Sequence, residues 1–254
     1  MIPKIIHYCW FGKKPLPKLA KKCIASWRKF LPDYEIVEWN EENFNVNIIP
    51  YTCEAYQTRK YAFVSDYARF WILYKYGGVY FDTDVELIKP MDDIIARGPF
   101  MGCEHDIPVI KVNPGLGICA PAGLNVYKDI LDMYATLHFV LLDGKMNLKT
   151  VVQYTTEILS KYGLKQSEDA QCIDGIWIYP QEYFCPIHVE NNKKVLKITS
   201  QTCSIHHWSA SWQPKSKEVL AGIKWKLMNI FGVNTILLLI DKLHLRTIRK
   251  KMNL

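Results

Sequence analysis

Two aspartates, Asp82 and Asp84, stand one residue apart, between the apolar run Val79-Tyr80-Phe81 and Val85. Residues two apart on an extended chain point the same way, so both carboxylates can address one hard divalent cation. Oxygen ligands suit Mg²⁺ or Mn²⁺, which keep waters and take further ligands from a phosphate. The competing reading is a solvated turn, where aspartate is favoured for local hydrogen bonds. The apolar flanks weigh against it, because they root the turn in a core. Upstream, Asp66 and Arg69 are three apart, on neighbouring faces of one turn if the segment is helical. They are either an ordinary intrahelical ion pair or a carboxylate and guanidinium that grip sugar hydroxyls. Far downstream come His206, His207, Trp208, Ser209 and Trp212. Adjacent strand residues point oppositely, so only one of the two histidines can face a common site.

The elements that must hold these residues are legible in outline. Ile2 to Trp10 is β-branched and aromatic and reads as a buried first strand. Leu19 to Phe30 has helical periodicity, and Tyr34 to Trp39 reads as a second strand. Tyr61 to Tyr76 is the best helix, with Phe63, Tyr67, Phe70, Trp71 and Tyr74 on one face and Gly77-Gly78 as its stop. Val79 to Asp82 follows as a short buried strand. Asn125 to Leu142 and Val151 to Tyr162 read as helices; Trp177 to Tyr179, Val195 to Thr199 and Ser204 to Trp208 read as strands. Alternating strands and helices imply an α/β fold with a mixed sheet. Such sheets bind ligands beyond the carboxyl ends of their strands.

Composition narrows the classes. The chain has 254 residues, 49% hydrophobic and 13% aromatic, too apolar for disorder. Its net charge of +7 comes from residues 213–254, which hold 9 of the 32 basic and 2 of the 25 acidic residues. Residues 1–212 are neutral, with 23 of each sign, which excludes a nucleic-acid-binding fold with a basic face. The basic, amphipathic segment 213–254 suits a peripheral contact with an anionic membrane, or packs back on the protein. The eight cysteines have no CxxC spacing, so zinc-ribbon and redox-pair readings fail. Residues 1–12 do not read as a secretory signal, and no apolar run reaches the roughly 20 residues of a membrane span.

Ser65 to Glu86 resembles the DXD-containing sugar-nucleotide glycosyltransferases of glycosyltransferase family 32. The opening, Ile2 to Gly12, is similar to that family's first strand and loop. Ile205-His206-His207-Trp208 through Trp212 resembles its C-terminal His-x-Trp signature. The resemblance implies a GT-A fold over residues 1–212, a Rossmann-like mixed sheet flanked by helices, followed by the tail, 213–254. It implies a retaining transferase that moves a hexose or N-acetylhexosamine from a UDP- or GDP-linked nucleotide-sugar to a glycan acceptor, lipid-linked or free. Capsule, lipopolysaccharide or other surface-polysaccharide synthesis is the implied setting, in the cytoplasm or on the inner face of its membrane. Asp66, Arg69, Asp82 and Asp84 are then the catalytic set. Asp82, Asp84 and His206, with His207 as competitor, hold Mn²⁺ or Mg²⁺. Trp10 covers the nucleobase, and Asp66, Arg69, Asn113, Ser209 and Trp212 complete the donor contacts. Asn113 is otherwise a turn residue before Pro114. Glu104, His105 and Asp106 either touch the acceptor or form a solvated loop. The alternatives are an inactive sugar-nucleotide-binding module of the same fold and a metal-dependent nucleotide-sugar hydrolase.

Overall fold

The structure, a computed structural model, describes residues 2–106, 109–190 and 193–209. Trp212 and the expected tail, 213–254, lie outside the described residues. The chain opens with β1 (Ile5–Cys9), α1 (Lys18–Phe30), β2 (Glu35–Trp39), α2 (Pro50–Gln57) and α3 (Tyr61–Tyr76). Then come β3 (Gly78–Tyr80), β4 (Val85–Leu87), α4 (Asp92–Ala96), β5 (Phe100–His105) and β6 (Lys111–Ala120). The rest comprises α5 (Asn125–Ala135), α6 (Val151–Lys161), β7 (Gln171–Ile173), β8 (Ile176–Tyr179), α7 (Gln181–Phe184), the hairpin of β9 (Ile187–Glu190) and β10 (Lys193–Leu196), and β11 (Ser204–His206).

Seven strands form one sheet in the order β2-β1-β3-β6-β5-β8-β7. β1 runs parallel to β2 and β3, and β5 runs parallel to β8. The β3–β6, β5–β6 and β7–β8 pairs are antiparallel. This is the mixed α/β sheet that the sequence implies. Side chains that alternate along β1 and β3 feed two cores. Ile6, Tyr8 and Val79 join Trp27 of α1 in one, while Cys9 and Tyr80 join α3, α5 and α6 in the other.

Helix α3 runs over the residues expected of it, but it is buried on nearly every side, not along one stripe. It packs between the sheet and helices α2 and α5, so a single apolar face would not suffice. It ends at Gly77 and Gly78, with φ of 66° and 103°. A side chain at Gly78 would also meet the Ile5 carbonyl at 2.7 Å, so this stop requires glycine.

Three local expectations are corrected. The helix expected over Asn125 to Leu142 ends at Ala135. Beyond it, Glu54 accepts hydrogen bonds from the Phe139 and Val140 amides and turns the chain aside. Asn113, whose alternative reading was a turn residue before Pro114, belongs with that proline to the ten-residue β6. Its proline and two glycines are accommodated where the register jumps from Met101↔Ile118 to Gly102↔Asn113, leaving residues 114–117 as a bulge. The strand expected over Val195 to Thr199 ends at Leu196.

Candidate active site

The carboxyl ends of β1 and β3 open beside each other, since Ile6 and His7 pair with Val79 and Tyr80 in parallel register. The chain leaving β3 carries Asp82 and Asp84. These carboxylates converge through a turn and not through strand pleating: the Val85 amide donates to the Asp82 carbonyl at 3.0 Å. β4 then pairs antiparallel with β11, setting His206 opposite Val85. This small sheet joins residues some 120 positions apart. His206 Nε2 lies 3.2 Å from Asp84 Oδ1, and the Ser209 amide donates to Asp84 Oδ2 at 2.8 Å. His207 points away, onto Glu86 at 2.7 Å. The strand expected to run from Ser204 to Trp208 ends at His206, and His207, just past it, faces a different partner.

Asp82, Asp84 and His206 each offer a ligand atom, and these atoms lie within 4.8 Å of one another. Two carboxylate oxygens and one imidazole nitrogen form a donor set that fits a divalent ion of the Mn²⁺ class. Without such an ion, the Asp84–His206 contact is an ion pair. Burial acts to lower the His206 pKa, but the Asp84 hydrogen bond and charge prevail and push it up to about 10. Burial opposes the charge on Asp84 too, yet His206 and Ser209 hold its carboxyl well below the usual range.

Asp82 is braced from α3 and β3. Arg69 Nη2 lies 2.8 Å from Asp66 Oδ1 and 3.3 Å from Asp82 Oδ1, so one guanidinium bridges both carboxylates. The sequence left an ion pair and a functional pair as alternatives for Asp66 and Arg69; in the fold, the ion pair itself reaches the candidate metal site. The Tyr80 hydroxyl donates to Asp82 Oδ1 at 3.0 Å. Burial pushes the Asp66 pKa up to about 7 and raises that of Asp82, both against the pull of Arg69. Burial likewise disfavours the charge on Arg69, but Asp82, Tyr80 and Asp66 together keep it protonated.

A third wall comes from β5 and β6. Asn113 is buried. Its Oδ1 accepts from the Gly115 amide at 2.7 Å, and its Nδ2 donates to Glu104 at 2.9 Å. The Asp82 amide donates to the Gly115 carbonyl at 3.3 Å. A β-carbon at residue 115 would sit 2.2 Å from Asp82 Oδ2, so only glycine lets that carboxylate rest on β6. Tyr80 and Gly115 were not legible as site residues, because a strand tyrosine and a glycine after proline are common for other reasons. Glu104 lies on β5 and not in a solvated loop, and burial raises its pKa.

The remaining expected residues are placed as follows. Trp10 is half-buried just past β1, its Nε1–H donating to the Lys14 carbonyl. Trp208 lies with its ring 4.7 Å from that of His206. His7, expected as a core histidine, is one: its Nε2 bonds the Gly77 carbonyl at 3.0 Å, and its Nδ1 accepts from Trp39 Nε1 at 3.1 Å. Among the described residues no helix is long and apolar enough to cross a membrane.

The site is thus a pair of acidic residues past a strand end of a mixed sheet, braced by a buried arginine. Residues 17–101 match the family described as "Glycosyltransferase sugar-binding region containing DXD motif". The chain is 30% identical over 111 residues to inositol phosphoceramide mannosyltransferase 1 of Schizosaccharomyces pombe, covering 39% of this chain and 33% of that protein. It is 33% identical over 101 residues to inositol phosphoceramide mannosyltransferase 3 of the same yeast, covering 37% and 27%. The matched part thus spans about a third of the length of these relatives. Against uncharacterized glycosyltransferase L373 of Acanthamoeba polyphaga mimivirus it is 26% identical, covering 85% of this chain and 86% of that one. Among solved structures, PaToxG glycosyltransferase is similar with a TM-score of 0.48 at 19% identity, covering 63% of this chain and 69% of that one.

Proposed function

We propose that this protein is a metal-dependent, retaining glycosyltransferase that moves a hexose or N-acetylhexosamine from a nucleotide-sugar to a glycan acceptor. The observation that carries this reading is the convergence of Asp82, Asp84 and His206 within 4.8 Å, beside a guanidinium that is already shared by Asp66 and Asp82. In this reading Asp82, Asp84 and His206 hold the cation, which suits Mn²⁺ better than Mg²⁺ because one donor is an imidazole. When bound, the cation supplies positive charge against the developing diphosphate leaving group.

The protein's own groups do the rest. Asp66 and Arg69 orient donor-sugar hydroxyls, and Trp10 offers an aromatic face to the nucleobase. Asn113 and Ser209, with Trp212 from beyond the described residues, complete the donor contacts. Retention of configuration, implied by the family, is served by a same-face internal return, in which the departing phosphate oxygen accepts the proton of the incoming hydroxyl. The names of the yeast relatives make mannose the first donor sugar to test and an inositol phosphoceramide an acceptor to test beside lipid-linked glycans. The basic segment 213–254 would bring the enzyme to an anionic membrane, on the cytoplasmic face, for surface-polysaccharide synthesis.

The test is release of nucleoside diphosphate from GDP-mannose and from UDP-hexoses with Mn²⁺, each with and without a panel of glycan acceptors. Release that rises with acceptor, with product retaining the donor's anomeric configuration, supports the transferase. Release indifferent to every acceptor favours a hydrolase. Binding without any release favours an inactive sugar-nucleotide module.

A further inference from the structure

We propose that Glu104 is a positioning residue: acting through Asn113 and Gly115, it fixes where the Asp82 carboxylate stands. The inference rests on the reading of Asp82 as part of the metal site.

Strand geometry alone does not aim Glu104 at this site. On β5, Cys103 pairs with Val112 and His105 pairs with Lys111, so Glu104 is the extra residue of a bulge. A bulge breaks strand alternation and re-aims a side chain. Here the re-aimed carboxylate meets Asn113 Nδ2 at 2.9 Å. Asn113 sits opposite Gly102 at the start of the second irregularity, the 114–117 excursion.

The two bonds of Asn113 define its orientation. The Gly115 amide is a donor and needs the amide oxygen, at 2.7 Å; the Glu104 carboxylate is an acceptor and needs the amide nitrogen. If the carboxylate were absent, the flipped and unflipped amides would differ by one bond fewer. Asn113 in turn holds Gly115, whose carbonyl takes the Asp82 amide and whose bare α-carbon supports Asp82 Oδ2. The order Glu104, Asn113, Gly115, Asp82 is thus one continuous series of contacts. It braces Asp82 on the β6 side, as Arg69 and Tyr80 brace it from α3 and β3. Residues that orient ligand side chains typically change metal affinity 10- to 100-fold when removed.

The experiment measures Mn²⁺ affinity of the full chain, from the loss of the free-ion electron paramagnetic resonance signal. It compares the native chain, Glu104→Gln, Glu104→Ala, Asn113→Ala and the double variant Glu104→Ala/Asn113→Ala. Melting temperature and the Asn113 side-chain amide ¹H–¹⁵N signals are read alongside. Glu104→Ala and Asn113→Ala should each weaken Mn²⁺ binding about tenfold, and the double variant should be no weaker than Asn113→Ala, because both act in series. Glu104→Gln, which keeps an acceptor oxygen, should stay within about threefold of native. The Asn113 amide signals should shift in Glu104→Ala and hold in Glu104→Gln. Native Mn²⁺ affinity in a folded Glu104→Ala, or losses that multiply in the double variant, would overturn the proposal. A native chain that binds no Mn²⁺ overturns the metal-site reading itself, and this inference with it.

Discussion

His7 and His206 are both buried, at 2% and 7% exposure, yet their surroundings push them in opposite directions. His7 sits on β1 with both ring nitrogens bonded to uncharged groups, the Gly77 carbonyl and the Trp39 indole. Burial lowers its pKa to about 4, so it stays neutral. His206 lies against Asp84, with Asp82 close by, and is pushed up to about 10. Burial acts to lower the pKa in both places; the partner decides the charge state. A histidine with two neutral partners is a structural part of the sheet. A histidine that shares a carboxylate holds a proton that a cation can replace, and that difference separates core from site.

The largest effect should come from the site side. Asp84→Asn removes the charge that holds His206 and one oxygen of the cation set. Mn²⁺-dependent donor turnover should fall at least a hundredfold, and the metal-free chain should lose urea stability at neutral pH, because His206 no longer has its carboxylate partner. A variant that keeps full Mn²⁺-dependent turnover would erase the distinction between the two histidines. The core side should respond in the reverse sense. His7→Leu leaves the Trp39 N–H and the Gly77 carbonyl buried and unpaired, costing about 2–4 kcal/mol by urea denaturation. The fraction that folds should bind Mn²⁺ as the native chain does.

Opposite pH slopes sharpen the comparison. The His7 pKa is depressed from 6.5 to about 4 on folding, so the unfolded chain binds the extra proton in that window. Stability should therefore fall as pH drops from 6.5 to 4, by up to about 3 kcal/mol from this group. His7→Gln should flatten that acid limb. The His206 pKa is raised, so its contribution is complete below 6.5 and lost as pH rises toward 10. His206→Gln should flatten that alkaline limb in urea titrations of the metal-free chain. The smallest effect belongs to Tyr80→Phe, which deletes one hydrogen bond to Asp82. Mn²⁺ affinity by calorimetry should weaken about tenfold, with stability little altered.

Much of this architecture is written in local pattern. The aromatic run Tyr61 to Tyr76 and its glycine pair specify α3 to the residue, because helical periodicity and a positive-φ stop act together. The paired aspartates stand out because an apolar strand delivers them. What was not legible depends on contacts between distant segments. Pro114, Gly115 and Gly117 argue locally against a strand, yet the bulge on β6 absorbs them and sets Gly115 under Asp82. The charged triplet Glu104-His105-Asp106 resembles a solvated loop, but pairing with β6 makes Glu104 part of a wall. The helix from Asn125 overran in the sequence reading because Leu137 to Leu142 continue apolar; the competing partner, Glu54, lies over 80 positions away.

The most direct measurement is the melting temperature of the native chain and of Asp84→Asn with GDP-mannose or a UDP-hexose, each with Mn²⁺ and with chelator. A ligand that binds only the folded state must raise it. At least one donor should stabilise the native chain with Mn²⁺ and not with chelator, and Asp84→Asn should abolish the shift. A donor that stabilises both chains equally, or that needs no metal, would contradict a donor site built on Asp82, Asp84 and His206.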